Sequence, residues 1–169
     1  EEARVIASLE HPGIVPVYEV GALVDGRPYY AMRLVEGRSL DEHLGAATPL
    51  SERLRVFQKI CETVGFAHSH GVTHRDLKPG NVMVGQFGEV VILDWGIARR
   101  DDSEERPGVV AGTPRFMAPE MQAGLGAAAG HRVDLYSLGA LLAFCLPAEA
   151  PRALRAVAAK AIDRKSTRL

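Results

Sequence analysis

Cysteine is scarce. Cys61 and Cys145 are the only two, and they lie in separate apolar stretches. That excludes a disulfide framework and suits buried thiols in a reducing compartment. An excess of one charge is lacking too: 20 basic side chains against 21 acidic ones leave a net charge of −1. No global field therefore draws nucleic acid or an anionic membrane. No apolar run reaches the ~18 residues of a membrane span; Leu138 to Leu146 is apolar but too short. No signal peptide is visible. The 47% hydrophobic and 24% charged content of the 169 residues is ordinary for a soluble globular chain. This length suits one domain, or two small lobes, with a real core.

What is there centres on Val72 to Gly96. Asp76 is followed at short offsets by Lys78 and Asn81, and Asp94 closes the apolar run from Val90 to Leu93. These residue types suit phosphoryl transfer. One carboxylate faces the attacking hydroxyl and accepts its proton. A second carboxylate and an amide oxygen are hard ligands for Mg²⁺ bridging phosphates. A lysine offers a compact positive charge to the transferring group.

His74-Arg75-Asp76-Leu77-Lys78-Pro79-Gly80-Asn81 resembles the catalytic loop of protein kinases. Asp94-Trp95-Gly96 resembles their magnesium-binding Asp-Phe-Gly with Trp for Phe, and Ala118-Pro119-Glu120 completes an ordered set. The resemblance covers residues 1 to 162 and is closest to bacterial serine/threonine kinases of the eukaryotic type. It implies an α+β fold: a mainly helical large lobe with a remnant of the small-lobe sheet. Asp76, Lys78 and Asn81 then take catalytic positions, and Asn81 and Asp94 hold Mg²⁺. ATP is the implied phosphate donor and a protein Ser/Thr hydroxyl the acceptor. Neither nucleic acid nor a membrane segment enters as a partner, and the expected compartment is the cytoplasm. A second reading is a small-molecule phosphotransferase of aminoglycoside or choline type, which shares the spaced His, Asp and Asn and often Asp-Trp; Arg75, Lys78 and the segment Gly112 to Glu120 stand against it. A third is a pseudokinase-like binding module without turnover.

Taken in order, Glu1 to Leu9 carries helical spacing and is stopped by His11-Pro12-Gly13. By the resemblance Glu2 matches the Glu that pairs with an ATP-contacting lysine; from the residues alone it is a solvated helix-face Glu. Ile14 to Val20 and Pro28 to Leu34 read as strands joined by a turn containing Asp25-Gly26. The kinase pattern puts Met32 at the back of the adenine pocket and Arg33, Leu34 and Val35 in the hinge that bonds the adenine edge. Ser39 to Glu42 is a capping box. Ser51 to His70 is a helix with Leu54, Phe57, Ile60, Cys61, Val64 and Ala67 as its apolar stripe, ended by Gly71. Val82 to Val84 and Glu89 to Leu93 form a hairpin, with Met83 either under the adenine or in plain core. His68, His70 and His74 have no good zinc spacing.

Ile97 to Met117 matches the activation segment. Arg75, beside the candidate base, implies a site for a phosphate there, and Ser103 and Thr113 are the hydroxyls on offer. Thr113 reads as structural. The acids around Ser103, Asp101 to Glu105, either pair with Arg75 or form a solvated run. Gly124 to Ala129 formally matches a dinucleotide fingerprint, but no strand precedes it. Val133 to Leu146 is a buried helix whose Asp134 either braces the catalytic loop or serves the helix dipole. Arg152 to Ile162 is a last amphipathic helix. The expected division is small-lobe remnant 1–35, large lobe 36–162, and a tail 163–169 outside the kinase pattern. No glycine-rich phosphate loop and no lysine precede Glu2. The expectation is therefore an incomplete kinase domain, inactive as it stands.

Overall fold

The computed structural model describes residues 9–95, 99–100, 113–123 and 130–163. The expected first helix, the Gly/Ala-rich 124–129 and the tail from 164 lie outside the described residues.

Strands β1 (Val17–Ala22) and β2 (Pro28–Met32) form an antiparallel hairpin. Its turn is closed by Asp25, whose carboxylate accepts the Arg27 N–H at 3.1 Å, and by Gly26 at φ 84. Against the expected Ile14 to Val20 and Pro28 to Leu34, β1 starts three residues later and runs on to Ala22, and β2 stops two residues early. Pro16 has no N–H to give to a ladder, so pairing begins one residue later. Opposite it, the Arg33 N–H donates to the Pro16 carbonyl at 3.1 Å and the ladder ends. Ile14, expected in the strand, instead makes a lone parallel bridge to Ile92. It is buried there in the same core as the helices that follow.

Strand β3 (Arg38–Ser39) leads directly into helix α1 (Leu40–His43). The Glu42 carboxylate accepts the Ser39 N–H at 3.1 Å, the reach-back half of the expected capping box. Helix α2 (Leu50–Ser69) ends where Gly71 takes φ 69, a left-handed conformation that glycine adopts without cost. After β4 (Val72–Thr73) and a 3₁₀ turn (Pro79–Asn81), strands β5 (Val82–Val84) and β6 (Val90–Ile92) form the expected second hairpin. The three-stranded sheet has the order β3-β5-β6. Strand β7 (Arg99–Arg100), which no pattern announced, pairs antiparallel with β4. Helices α3 (Pro119–Gln122), α4 (Arg132–Cys145) and α5 (Arg152–Ile162) complete the described elements. At Gly139 of α4 an added Cβ would stand 2.6 Å from the Ala161 Cβ of α5, so the missing side chain lets the two helices touch.

The buried face of α2 differs from the expected stripe. Ile60, Val64 and Ala67 are buried as expected, but Arg53, Val56 and Thr63 join them, while Leu54, Phe57 and Cys61 are only half-buried. An apolar count cannot find this face because two of its members are polar and satisfied internally. Thr63 returns its hydroxyl to the Lys59 carbonyl at 2.9 Å. Arg53 donates to three carbonyls: Thr48 at 2.9 Å, Cys145 at 3.0 Å and Gly45 at 2.6 Å. One planar fork thus ties the α1–α2 loop to the C-terminus of α4, whose dipole favours a cation. Both cysteines are free, and burial pushes the Cys61 thiol up to about 11 and Cys145 up to about 12.

Replacing Arg53 by Met leaves three carbonyls, the one of Cys145 buried, without their charged donor and is expected to cost ~1–3 kcal/mol in urea unfolding. Arg53→Lys recovers only a part, because one ammonium cannot span the three positions.

Candidate active site

The loop from His74 to Lys78 hangs between β4 and the 3₁₀ turn, and its course is set by Asp134 at the start of α4. The Asp134 carboxylate is fully buried. Its Oδ2 accepts the His74 N–H at 2.8 Å, and its Oδ1 accepts the Arg75 N–H at 2.8 Å. Of the two readings of this residue, the bracing one is what the geometry displays. His68 of α2 adds a third contact, Nε2 to Oδ2 at 2.8 Å. Sequence reasoning set His68 aside as a failed metal ligand. Nothing local to it signals a carboxylate 66 residues away.

His74 is fully buried and joins the loop to the end of β6. Its Nδ1 accepts the Asp76 N–H at 3.2 Å, so Nε2 carries the proton and donates it to the Leu93 carbonyl at 3.0 Å. Trp95 packs on it with ring centroids 4.5 Å apart and donates its own N–H to the Ile92 carbonyl. Burial is the main influence on the imidazole and holds its pKa below the ordinary 6.5, against the opposing pull of Asp134.

Asp76, Lys78 and Asn81 converge. Lys78 Nζ lies 2.5 Å from Asp76 Oδ2, and Asn81 Nδ2 donates to the same oxygen at 3.1 Å and to the Asp76 carbonyl at 2.8 Å. The other oxygen, Oδ1, accepts the Thr113 N–H at 3.1 Å. With its amide nitrogen turned to Asp76, Asn81 leaves its amide oxygen outside these contacts. The Asn81 carbonyl accepts the Leu93 N–H at 2.8 Å, which brings Asp94 next to it along the chain. Asp94 is exposed. Arg75 at φ 74 and Asp94 at φ 56 are the non-glycine residues with left-handed backbone among those described. Such positions persist where the surroundings over-determine them, and they cluster at functional sites.

The remaining expected residues are more dispersed. Met32, 39% exposed, ends β2 outside the hydrophobic cluster. Val35 follows, half-buried. Met83 is half-buried on the face of β5 opposite Val82 and Val84 and also lies outside that cluster. Glu2 and Ser103, with the acids around Ser103, lie outside the described residues.

A sequence profile described as the protein kinase domain matches residues 1–167. The chain belongs to the protein kinase domain family. This kinase domain is 41% identical over 179 aligned positions to serine/threonine-protein kinase PknD of Chlamydia trachomatis serovar D, covering 83% of the chain. The proteins of the same name from Chlamydia caviae and Chlamydia pneumoniae are 38% and 39% identical, again over 83% of the chain. The chain spans only 18–19% of the length of these relatives. The described elements, helices with small antiparallel sheets, agree with an α+β kinase-like domain.

The sign of the pH dependence follows from His74. Its folded pKa lies below 6.5. Below that pH the unfolded chain takes up a proton the folded chain refuses. Stability therefore falls as pH drops below about 6.5, with a slope of up to ~1.4 kcal/mol per pH unit from this group. Denaturant titrations between pH 7 and 5 should show the slope reduced in His74→Gln.

Proposed function

We propose that this kinase domain transfers the γ-phosphate of ATP to serine or threonine hydroxyls of protein substrates. The observation that carries the reading is the Asp76 carboxylate, held by Lys78, Asn81 and the Thr113 N–H in a loop that ends beside Asp94. Asp76 orients the acceptor hydroxyl and takes its proton. Lys78, already on that carboxylate, sets a positive charge where the transferring group arrives. The serine/threonine class is supported by Lys78 two positions after Asp76 and by the similarity to serine/threonine-protein kinase PknD.

Asn81 and Asp94 are the residues that would hold Mg²⁺. The donor set fits: one amide oxygen and one exposed carboxylate suit an ion that is bound through one or two carboxylates and keeps water and phosphate ligands. When bound, the ion offsets charge on the ATP phosphates. Toward the nucleotide we assign Met32 and Met83 to the adenine, the Val35 backbone to the hinge, and Glu2 to the lysine-pairing position. The lobe boundary stays near residue 35, with a tail beyond residue 162. Arg75 receives a negative group from the activation segment, either a phosphate on Ser103 or the acids beside it. Thr113 serves through its backbone. Among the described residues no helix is long and apolar enough to cross a membrane, and we assign the reaction to the cytoplasm, where ATP is available.

In protein carrying this segment, Asp76→Asn is expected to lower transfer of labelled phosphate to a Ser/Thr protein by ~10²–10⁴-fold. Asp94→Asn should lower it at least as far, and both variants should keep the wild-type circular dichroism spectrum. Wild-type turnover in either would refute the assignment.

A further inference from the structure

Thr113 to Phe116 form a tight turn, closed by the Phe116 N–H on the Thr113 carbonyl at 2.9 Å. Pro114 occupies the second position, where its fixed φ is favoured. The turn is pinned from several sides. Thr113 donates to Asp76 Oδ1 at 3.1 Å. Gln122 Nε2 donates to the Pro114 carbonyl at 3.2 Å and the Met117 carbonyl at 3.1 Å. The Ser137 hydroxyl of α4 donates to the Phe116 carbonyl at 2.7 Å. Arg115 therefore stands on a rigid support next to the candidate base, and it is exposed.

Its guanidinium carbon lies 5.7 Å from the Phe116 ring centroid and 5.9 Å from that of Phe144. Two aromatic faces restrict an otherwise mobile side chain, so less entropy is lost when it engages a partner. Among the described residues Arg115 forms no ion pair. The reaction proposed above has no use for it. A planar, pre-positioned guanidinium matches a carboxylate in a two-point contact. A peptide that delivers its hydroxyl to Asp76 has to pass this turn, because Thr113 is bonded to the same carboxylate.

We propose that Arg115 is a specificity-determining residue, selecting protein segments that carry Asp or Glu close to the acceptor serine or threonine. The proposal rests on the transfer reading above and names the substrate class for that site.

The test separates binding from transfer. Fluorescein-labelled peptides with Ala at the acceptor position, flanked by Asp in one and by Lys in the other, are titrated with the full 169-residue chain and followed by anisotropy. The wild type should bind the Asp peptide about fivefold more tightly, the upper range for an exposed pair. The difference should vanish at ~1 M salt, where the Debye length is about 3 Å. Arg115→Glu should reverse the order, and Arg115→Lys should keep it in weaker form. Equal binding, absent binding, or an Asp preference unchanged in Arg115→Glu overturns the proposal. Transfer from ATP to the matching Ser peptides is measured in parallel in the longer protein that carries this segment, because the 169 residues alone are expected to be inactive. Asp-selective binding without transfer would sink the transfer reading and leave Arg115 as the selector; transfer without charge preference would do the reverse.

Discussion

The site depends on one buried carboxylate. Asp134 meets the His68 ring, and the N–H groups of His74 and Arg75 are aimed at its two oxygens. A charge in the interior is tolerated only when its lone pairs are filled. Here filling them requires the His74–Arg75 backbone to present two N–H groups to one side chain. The left-handed Arg75 follows: the chain is bent to bring successive amides onto the carboxylate. What the helix start needs for its own solvation is thus the same geometry that aims Asp76.

A second buried group carries the constraint across to Asp94. His74 accepts from the Asp76 N–H on one nitrogen and donates to the Leu93 carbonyl with the other. A neutral imidazole can do both; an imidazolium cannot accept. Burial keeps it neutral. The Leu93 N–H meanwhile goes to the Asn81 carbonyl, so both backbone groups of the residue before Asp94 are taken up by the loop. Asn81 is tied to Asp76 through the Asp76 carboxylate, and Asp94 is joined to both through the His74 ring and the Leu93 backbone and not through its own carboxylate. Trp95, packed on His74 and buried in the core, closes this unit from below.

Much of the fold was legible because it rests on local chemistry. Gly71 ended α2 where the left-handed conformation was needed, and Glu42 reached back to Ser39 as its spacing required. The β5–β6 hairpin and α5 were readable from alternation, turn glycines and helical period. The failures have physical causes. Pro16 trimmed the first hairpin because a ladder needs an N–H it lacks. The buried face of α2 was rotated toward Arg53 and Thr63, polar residues whose burial is settled by carbonyls on other elements or one turn back. Strand β7 has only two residues, too few for a period to declare itself.

For the site, the sequence by itself determined which groups are present: Asp76, Lys78, Asn81 and Asp94 are recognisable because their chemistry and spacing are those phosphoryl transfer needs. It also placed Asn81 and Asp94 at neighbouring ends of one hairpin, since a short turn must return the chain. Only the tertiary structure decided what holds them. That His68 and Asp134, 66 residues apart, share a hydrogen bond, that Thr113 closes on Asp76, and that Arg115 rests on Phe144 of a later helix are contacts between segments distant in the chain. Their partners are chosen by packing of the helices and sheet around a common core, and no local propensity encodes that choice.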